Sequence, residues 1–405
     1  MGDQTGQKQA LLPVPGVRLA TVAAGIKKSG AADLLLIETG AESSLAATFT
    51  RNRFAAAPVQ LCKQFLQQQQ PRYLLINSGN ANCGLGEAGL EAARKCCQAV
   101  AGSGGVAAEQ VLPFSTGVIA EPLPFERIVD KIPQLISELD GDHWWSAADA
   151  IRTTDTVAKG GSLQLELAGR TVTLTGIAKG SGMIRPDMAT MLAYIATDLP
   201  MAGDHLQQAL QQAVDLSFNC ISVDGDMSTN DAAVLIATGA AGGPAVVPGD
   251  ADWVIFVDAL TALCQQLAQA IVRDGEGATK FITLQVRGAA TREDAKAVAS
   301  AVAHSPLVKT AFFASDANWG RILAAVGYAQ VEQLDINRVE IFLNDLCIVR
   351  NGARAGEYQE QAGTAVMAED EIVVTINLQS GDQHITYWTC DLSYEYVRIN
   401  AEYRT

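Results

Sequence analysis

At 405 residues, 48% of them hydrophobic and 18% charged, the chain has apolar material for two or three domains and is not a disordered one. Its 44 acidic and 29 basic residues leave a net charge of −15, which argues against nucleic acid or an anionic membrane as partner. No apolar run approaches the ~20 residues of a membrane helix, so no membrane association is expected. Met1 to Gln9 is polar, without a basic stretch leading into an apolar core. With no secretory signal evident, the expected compartment is the cytoplasm.

From residue 13 to 60 short apolar runs alternate with turns, and 17–22, 32–37 and 45–50 read as strands of a sheet. Tyr73-Leu74-Leu75-Ile76 is a further buried strand that runs into Asn77-Ser78-Gly79-Asn80-Ala81-Asn82-Cys83-Gly84. Gly79, Gly84 and Gly86 invite a phosphate-loop reading, but the Lys-Ser/Thr ending of a P-loop is missing. A structural turn with asparagines bonding their own backbone fits better. Residues 87–100 read as a helix. The run Val111-Leu112-Pro113-Phe114-Ser115-Thr116-Gly117-Val118-Ile119 then sets small residues between two apolar ones. Such a turn can present a backbone N–H and a hydroxyl, the donors an oxyanion hole needs. It is also, commonly, only a turn.

Residues 125–139 have helical spacing and 143–151 continue as a second helix, with His143 packing at its start. The stretches 162–168 and 171–177 alternate polar and apolar around Gly169-Arg170, a hairpin signature. Beyond the middle of the chain, 205–216 reads as a helix and 232–237 as a strand. Asp224, Asp226 and Asp231 tempt towards a calcium loop, but its twelve-residue spacing and terminal glutamate are absent, and Asx turns fit better. A long amphipathic helix spans 253–273 and stops at Asp274-Gly275-Glu276-Gly277, where Glu276 reads as a solvated loop carboxylate.

A strand at 281–286, helices at 292–304 and 322–329, and strands at 341–349, 371–378 and 385–391 come next. Asp316 and Arg321 read as a structural ion pair. Residues 396–405 would ordinarily be a fraying tail. The eight cysteines (Cys62, Cys83, Cys96, Cys97, Cys220, Cys264, Cys347, Cys390) contain no Cys-x-x-Cys pair, and the four histidines (His143, His205, His304, His384) are scattered. No metal site is expected, and the thiols read as reduced and structural.

The chemistry concentrates at the centre, in Gly176-Ile177-Ala178-Lys179-Gly180-Ser181-Gly182-Met183-Ile184-Arg185-Pro186-Asp187-Met188-Ala189-Thr190. A glycine-rich turn with one lysine passes through a proline into a small, apolar segment, 187–196, which reads as a buried strand carrying the hydroxyl of Thr190. Two readings of Thr190 stand. One is a threonine satisfied by a neighbouring carbonyl. The other is a nucleophile: its hydroxyl attacks the Ala189 carbonyl, an N-to-O shift and hydrolysis cut the chain, and the new terminus holds nucleophile and amine together. An α-amine titrates near ~8, so a useful fraction is neutral at physiological pH. Lys179 nearby would depress that value further by like charge.

The run 178–184, with Pro186 and Met188-Ala189-Thr190-Met191-Leu192, resembles the self-cleaving ornithine acetyltransferases of arginine biosynthesis, the ArgJ family. Further landmarks lie in the family's order: Asn77 to Asn82, Ser115 to Ile119, Thr153-Thr154-Asp155-Thr156, Val223-Asp224-Gly225-Asp226, Ser228-Thr229-Asn230-Asp231, and Asn318-Trp319-Gly320-Arg321. The resemblance implies an α/β fold, a DmpA/ArgJ-like sandwich of sheets between helices with a smaller C-terminal α/β domain. It implies a cut after Ala189. The α chain, 1–189, would carry the oxyanion turn, and the β chain, 190–405, would begin with Thr190. The sandwich would continue to about residue 285 and the C-terminal domain would run from about 286 to 405. The two would assemble as an α2β2 heterotetramer.

By the same resemblance, acetyl moves from N2-acetyl-L-ornithine to L-glutamate through acetyl-Thr190. Thr116 (side chain) and Gly117 (backbone N–H) would hold the oxyanion. Thr153, Lys179, Thr190, Glu276, Asn400 and Thr405 would bind the amino-acid substrates, and the C-terminus would fold over the site. No cofactor is implied, although some members accept acetyl-CoA as donor. Ala120 stands where the family usually has glycine. Two rivals are a self-processing aminopeptidase or amidohydrolase, whose nucleophile is typically serine, and an uncut, glycine-rich small-molecule-binding protein.

Overall fold

The computed structural model describes residues 10–185 and 191–402 of the chain. In chain order its first elements are β1 (Val17–Val22), β2 (Leu34–Thr39), β3 (Ser44–Phe49), α1 (Ala57–Phe65), β4 (Tyr73–Asn80) and α2 (Glu87–Gly104). Next come β5 (Val111–Val118), α3 (Phe125–Ser137), α4 (Trp144–Ala150), β6 (Lys159–Leu167), β7 (Arg170–Lys179), β8 (Leu192–Thr197) and α5 (Gly203–Asp215). Beyond these lie β9 (Ile221–Ser222), β10 (Ala232–Ala237), α6 (Ala251–Arg273), β11 (Phe281–Ala289), α7 (Arg292–Ala303), α8 (Pro306–Phe313) and α9 (Trp319–Gly327). The last are β12 (Glu340–Leu343), β13 (Leu346–Arg350), β14 (Ala353–Arg354), α10 (Glu360–Met367), β15 (Glu371–Asn377), β16 (Gln383–Cys390) and α11 (Tyr394–Ala401).

These elements gather into two compact units. The first takes the described residues as far as 180, then 191–219 and 227–268. It holds a four-stranded sheet, β1-β2-β4-β5, and a five-stranded one, β3-β10-β8-β7-β6. β4 and β5 run parallel, which demands a crossover, and α2 supplies it. Ala92, Ala93, Cys96, Cys97 and Val100 give that helix its buried stripe, and it ends at Gly105 in the left-handed region. α5 likewise returns the chain between the parallel strands β8 and β10. Leu34 to Ile37 on β2 are wholly buried on both faces, each side chain contributing ~1.5–3 kcal/mol by leaving water. Phe114 on β5 and Tyr194 on β8 meet edge to face, ring centroids 5.4 Å apart, inside one core cluster drawn from both sheets. The unit is an α/β sandwich.

The expected hairpin is β6–β7. Its turn has positive φ at both Ala168 (49°) and Gly169 (73°), the twist that two-residue hairpins prefer. α6 corrects the view that no segment is long and apolar enough to cross a membrane: by length and composition this helix is, at a mean hydropathy of 1.5. Asp252, Asp258 and Gln265 break up the apolar run in the sequence. In the fold Phe256, Leu260, Leu263, Cys264 and Leu267 are buried at helical spacing, as in the core helix of a globular domain.

The second unit takes 181–185, 220–226 and 269–402 of the described residues. Its sheet is seven-stranded, in the order β14-β13-β12-β15-β11-β16-β9, with α7 packed on β11 and β16. Side chains of Thr291, Ser305 and Asn318 cap the N-termini of α7, α8 and α9. Three expectations are corrected here. The single strand expected at 341–349 is the hairpin β12–β13, because Asn344 takes φ +49° and turns the chain. Asp316 accepts a hydrogen bond from Asn318 at 2.9 Å while Arg321 donates to the Leu307 carbonyl at 2.8 Å, in place of the ion pair expected between them. Of the tail expected to fray from 396, the described residues as far as 401 are instead helical, in α11.

Candidate active site

The Ser-Thr-Gly segment expected as a turn is the end of β5. Its register with β4 is irregular at the strand end, where Asn80 stands opposite both Thr116 and Val118. A bulge of this kind bends a strand and re-aims the side chains beyond it. Gly117 sits in it at φ +137°, and a Cβ there would run into the Gly79 carbonyl carbon and come within 2.5 Å of the Asn80 nitrogen. Only glycine fits. Asparagines hold the frame: Asn77 donates to the Asn80 carbonyl at 2.8 Å, and the Asn80 side chain accepts from the Asn82 N–H at 2.7 Å. Ser115 donates to Asn77 Oδ1 at 2.6 Å, and Asn230 donates to the carbonyls of Ala81 and Ser115 at 2.6 and 2.9 Å. The expected backbone-bonding asparagines are therefore present, but inside a strand-end network that reaches forward to residue 230.

Lys179 closes β7 and is buried, only 9% exposed. Its Nζ donates to Thr116 Oγ1 at 3.1 Å, joining two residues that lie 63 apart in sequence. Beneath them lies Asp155, a buried carboxylate. One of its oxygens accepts from Lys159 Nζ at 2.7 Å and from the Gly180 N–H at 2.7 Å; the other accepts from the Thr153 N–H at 3.0 Å. Burial alone would raise the Asp155 pKa. The charge of Lys179, then that of Lys159, outweighs it and holds the carboxyl well below the usual carboxylate range. Thr153, Lys179, Thr116 and Gly117 thus belong to one connected network in the first unit, with Asp155 as its hub.

β8 begins at Leu192, two residues beyond Thr190, opposite Lys179 on β7. The Met191 carbonyl accepts from the Ala232 N–H at 3.0 Å. A small depression beside Met191 is lined by Thr48, Phe218, Asn219 and Asp231. Ala189 and Thr190, the expected scission pair, and Thr405 lie outside the described residues.

In the second unit, Glu276 corrects its reading as a solvated loop carboxylate: it is 8% exposed and accepts from Asn400 Nδ2 at 2.8 Å. Its N–H donates to the Ser181 carbonyl at 2.9 Å, and a Cβ on Gly182 would collide with its carboxylate. Two expected substrate residues, Glu276 and Asn400, are therefore neighbours in that unit. Asp224 clamps the same glycine-rich stretch, accepting from the N–H groups of Met183 and Ile184 at 2.6 and 2.9 Å and from that of Asp226 at 3.1 Å. Ser222 Oγ and the Val223 N–H donate to the Ile184 carbonyl. Burial raises the Asp224 pKa against those N–H bonds. The Asx-turn reading holds for Asp224, which accepts the N–H of Asp226 two residues on.

Sequence reasoning missed Asp155 and Asn230 as organising residues. Each stands in a landmark stretch, and the one local signal for Asp155 was Lys159 four positions on, a spacing more familiar from exposed helices.

The model of the ArgJ family matches residues 18–405. The arginine biosynthesis bifunctional protein ArgJ of Methylococcus capsulatus is 53% identical over 395 residues, 98% of this chain and 97% of that protein. The protein of the same name from Pseudomonas syringae pv. tomato is 52% identical over 403 residues, 99% of each. Among solved structures, that of the arginine biosynthesis bifunctional protein ArgJ from Bacillus halodurans is 41% identical, covering 51% of this chain and 96% of that one at a TM-score of 0.49. With a match running from the first strand to the last residue, this chain belongs to the ArgJ family.

Proposed function

We propose that this ArgJ-family acetyltransferase cuts itself between Ala189 and Thr190 and then moves acetyl from N2-acetyl-L-ornithine to L-glutamate. In the cut, the Thr190 hydroxyl adds to the Ala189 carbonyl and the C–N bond breaks as nitrogen takes a proton. Water then hydrolyses the resulting ester, leaving a carboxylate on Ala189 and a free amine and hydroxyl on Thr190. In the transfer, the hydroxyl attacks the acetyl carbonyl while the Thr190 α-amine takes its proton. Thr116 and the Gly117 N–H stabilise the oxyanion, ornithine leaves with the proton, and glutamate accepts acetyl from Thr190 by the same steps reversed. Thr153, Lys179, Glu276, Asn400 and Thr405 bind the two amino acids.

The reading assigns the exchange no cofactor and admits acetyl-CoA as a second donor for making N-acetylglutamate. The mature species is an α2β2 heterotetramer of 1–189 and 190–405, working in the cytoplasm on small amino-acid substrates. One observation carries the chemistry: a buried lysine 3.1 Å from a threonine hydroxyl, beside a glycine bulge, in a chain that matches its family from 18 to 405. Intact mass of the expressed wild type and of Thr190→Ala tests it. The wild type is expected as two pieces joined at residues 189 and 190 before the cut, the variant as one inactive chain. Acetate release without dependence on glutamate would point to a hydrolase instead.

A further inference from the structure

A threonine hydroxyl has one proton and two lone pairs. Because Lys179 Nζ donates into Thr116 Oγ1, the Thr116 proton must point away from the ammonium. Among the described residues no hydrogen bond takes that proton. It is left for an acceptor arriving from outside the protein, the requirement for a preorganised oxyanion donor. The orientation is only as good as the placement of Lys179. Asp155 fixes that placement, because it accepts the N–H of Gly180, the residue directly after Lys179, and faces the Lys179 charge from within the buried core.

We propose that Asp155 is a positioning residue for acetyl transfer: through Gly180 and Lys179 it sets the direction in which Thr116 presents its proton. This rests on the oxyanion role given to Thr116 above. A purely structural alternative exists, because Asp155 also neutralises Lys159, and the two side chains are 0% and 1% exposed. Removing one partner of such a pair is strongly destabilising on its own.

Full-length Asp155→Asn, Lys159→Met and Asp155→Asn/Lys159→Met separate the two roles. Each is compared with the wild type for Tm, cut fraction by intact mass, and exchange per cut chain. Asp155→Asn is expected to lower Tm and the double variant to regain it, since no uncompensated lysine remains. The kcat of the double variant should stay down by about 30- to 100-fold, with KM for acetylornithine moving only a few-fold, in the range for losing a share of one oxyanion donor. Lys159→Met alone should keep kcat within about threefold.

Exchange that returns together with Tm in the double variant would overturn the proposal, leaving charge neutralisation as the whole role. So would a double variant that fails to fold, since that makes Asp155 structural. A folded double variant that stays uncut would move the role to the scission and overturn the assignment to transfer. A wild type without exchange activity sinks the function itself, and this role with it; an active wild type beside an indifferent double variant sinks the role alone.

Discussion

Gly117 has no room to change. At φ +137°, with Asn80 nitrogen 2.5 Å from where a Cβ would stand, Gly117→Ala must force β4 and β5 apart or leave the bulge. We expect a loss of about 2–4 kcal/mol, from strain plus overpacking, together with loss of exchange; urea denaturation and the exchange assay check it. His304 makes a prediction about pH. Burial first, then the charges of Arg185 and Lys309, lower its pKa from 6.5 to about 4, and its Nε2 has no hydrogen-bond partner among the described residues. The unfolded chain therefore binds this proton more readily than the folded one. Its contribution to stability is intact above pH 6.5 and is lost as pH falls towards about 4. His304→Gln should flatten the dependence of Tm on pH across that window. Asp155 behaves oppositely in range: its carboxyl is held so low that the stability from its ionisation persists until the medium is strongly acidic.

At the scale of elements, the clamp on residues 183 and 184 makes the next prediction. Asp224, half-buried, takes three backbone N–H groups, and losing such an acceptor costs up to roughly 1–3 kcal/mol for each donor that water does not reach. Asp224→Ala should loosen residues 183 and 184 and slow the proposed self-cleavage at least tenfold, read as the cut fraction against time by intact mass. An unchanged rate would separate the clamp from the scission. Elements are also where sequence reading fared best and worst. Strong periodicity made β1, α2, the β6–β7 hairpin and α6 legible, since apolar spacing reports burial directly. The hairpin at Asn344 was hidden by apolar runs on both sides, and α11 by its lack of any buried residue. Of the candidate site, residue types and order were readable through the family likeness. The Lys179–Thr116 contact and the hub at Asp155 were not, because they join positions whose proximity only sheet pairing creates.

At the scale of the molecule, the five-stranded sheet bears on what a cut would do. In the order β3-β10-β8-β7-β6, the strands β8 and β10 come after residue 190 while β3, β6 and β7 precede it. β8 pairs with β7 along six residues, and β10 with β3 along six more. Cutting between them removes one peptide bond and none of these ladders. The cleaved protein should therefore elute as one species without denaturant, with both pieces in the same peak, observable by size exclusion and a denaturing gel. Either piece emerging alone in native buffer would contradict the sheet.

Combined with the proposed cut, that interleaving would give the molecule an irreversible history. Before scission, folding is unimolecular and independent of dilution; afterwards, recovery from denaturant requires two separate polypeptides to meet, so its yield must fall as the sample is diluted. Thr190→Ala should regain its native circular dichroism equally well at high and low concentration, while the processed enzyme should not. With the proposed cut, a backbone folded once as a single thread would become a kinetically trapped pair whose persistence depends on never coming apart.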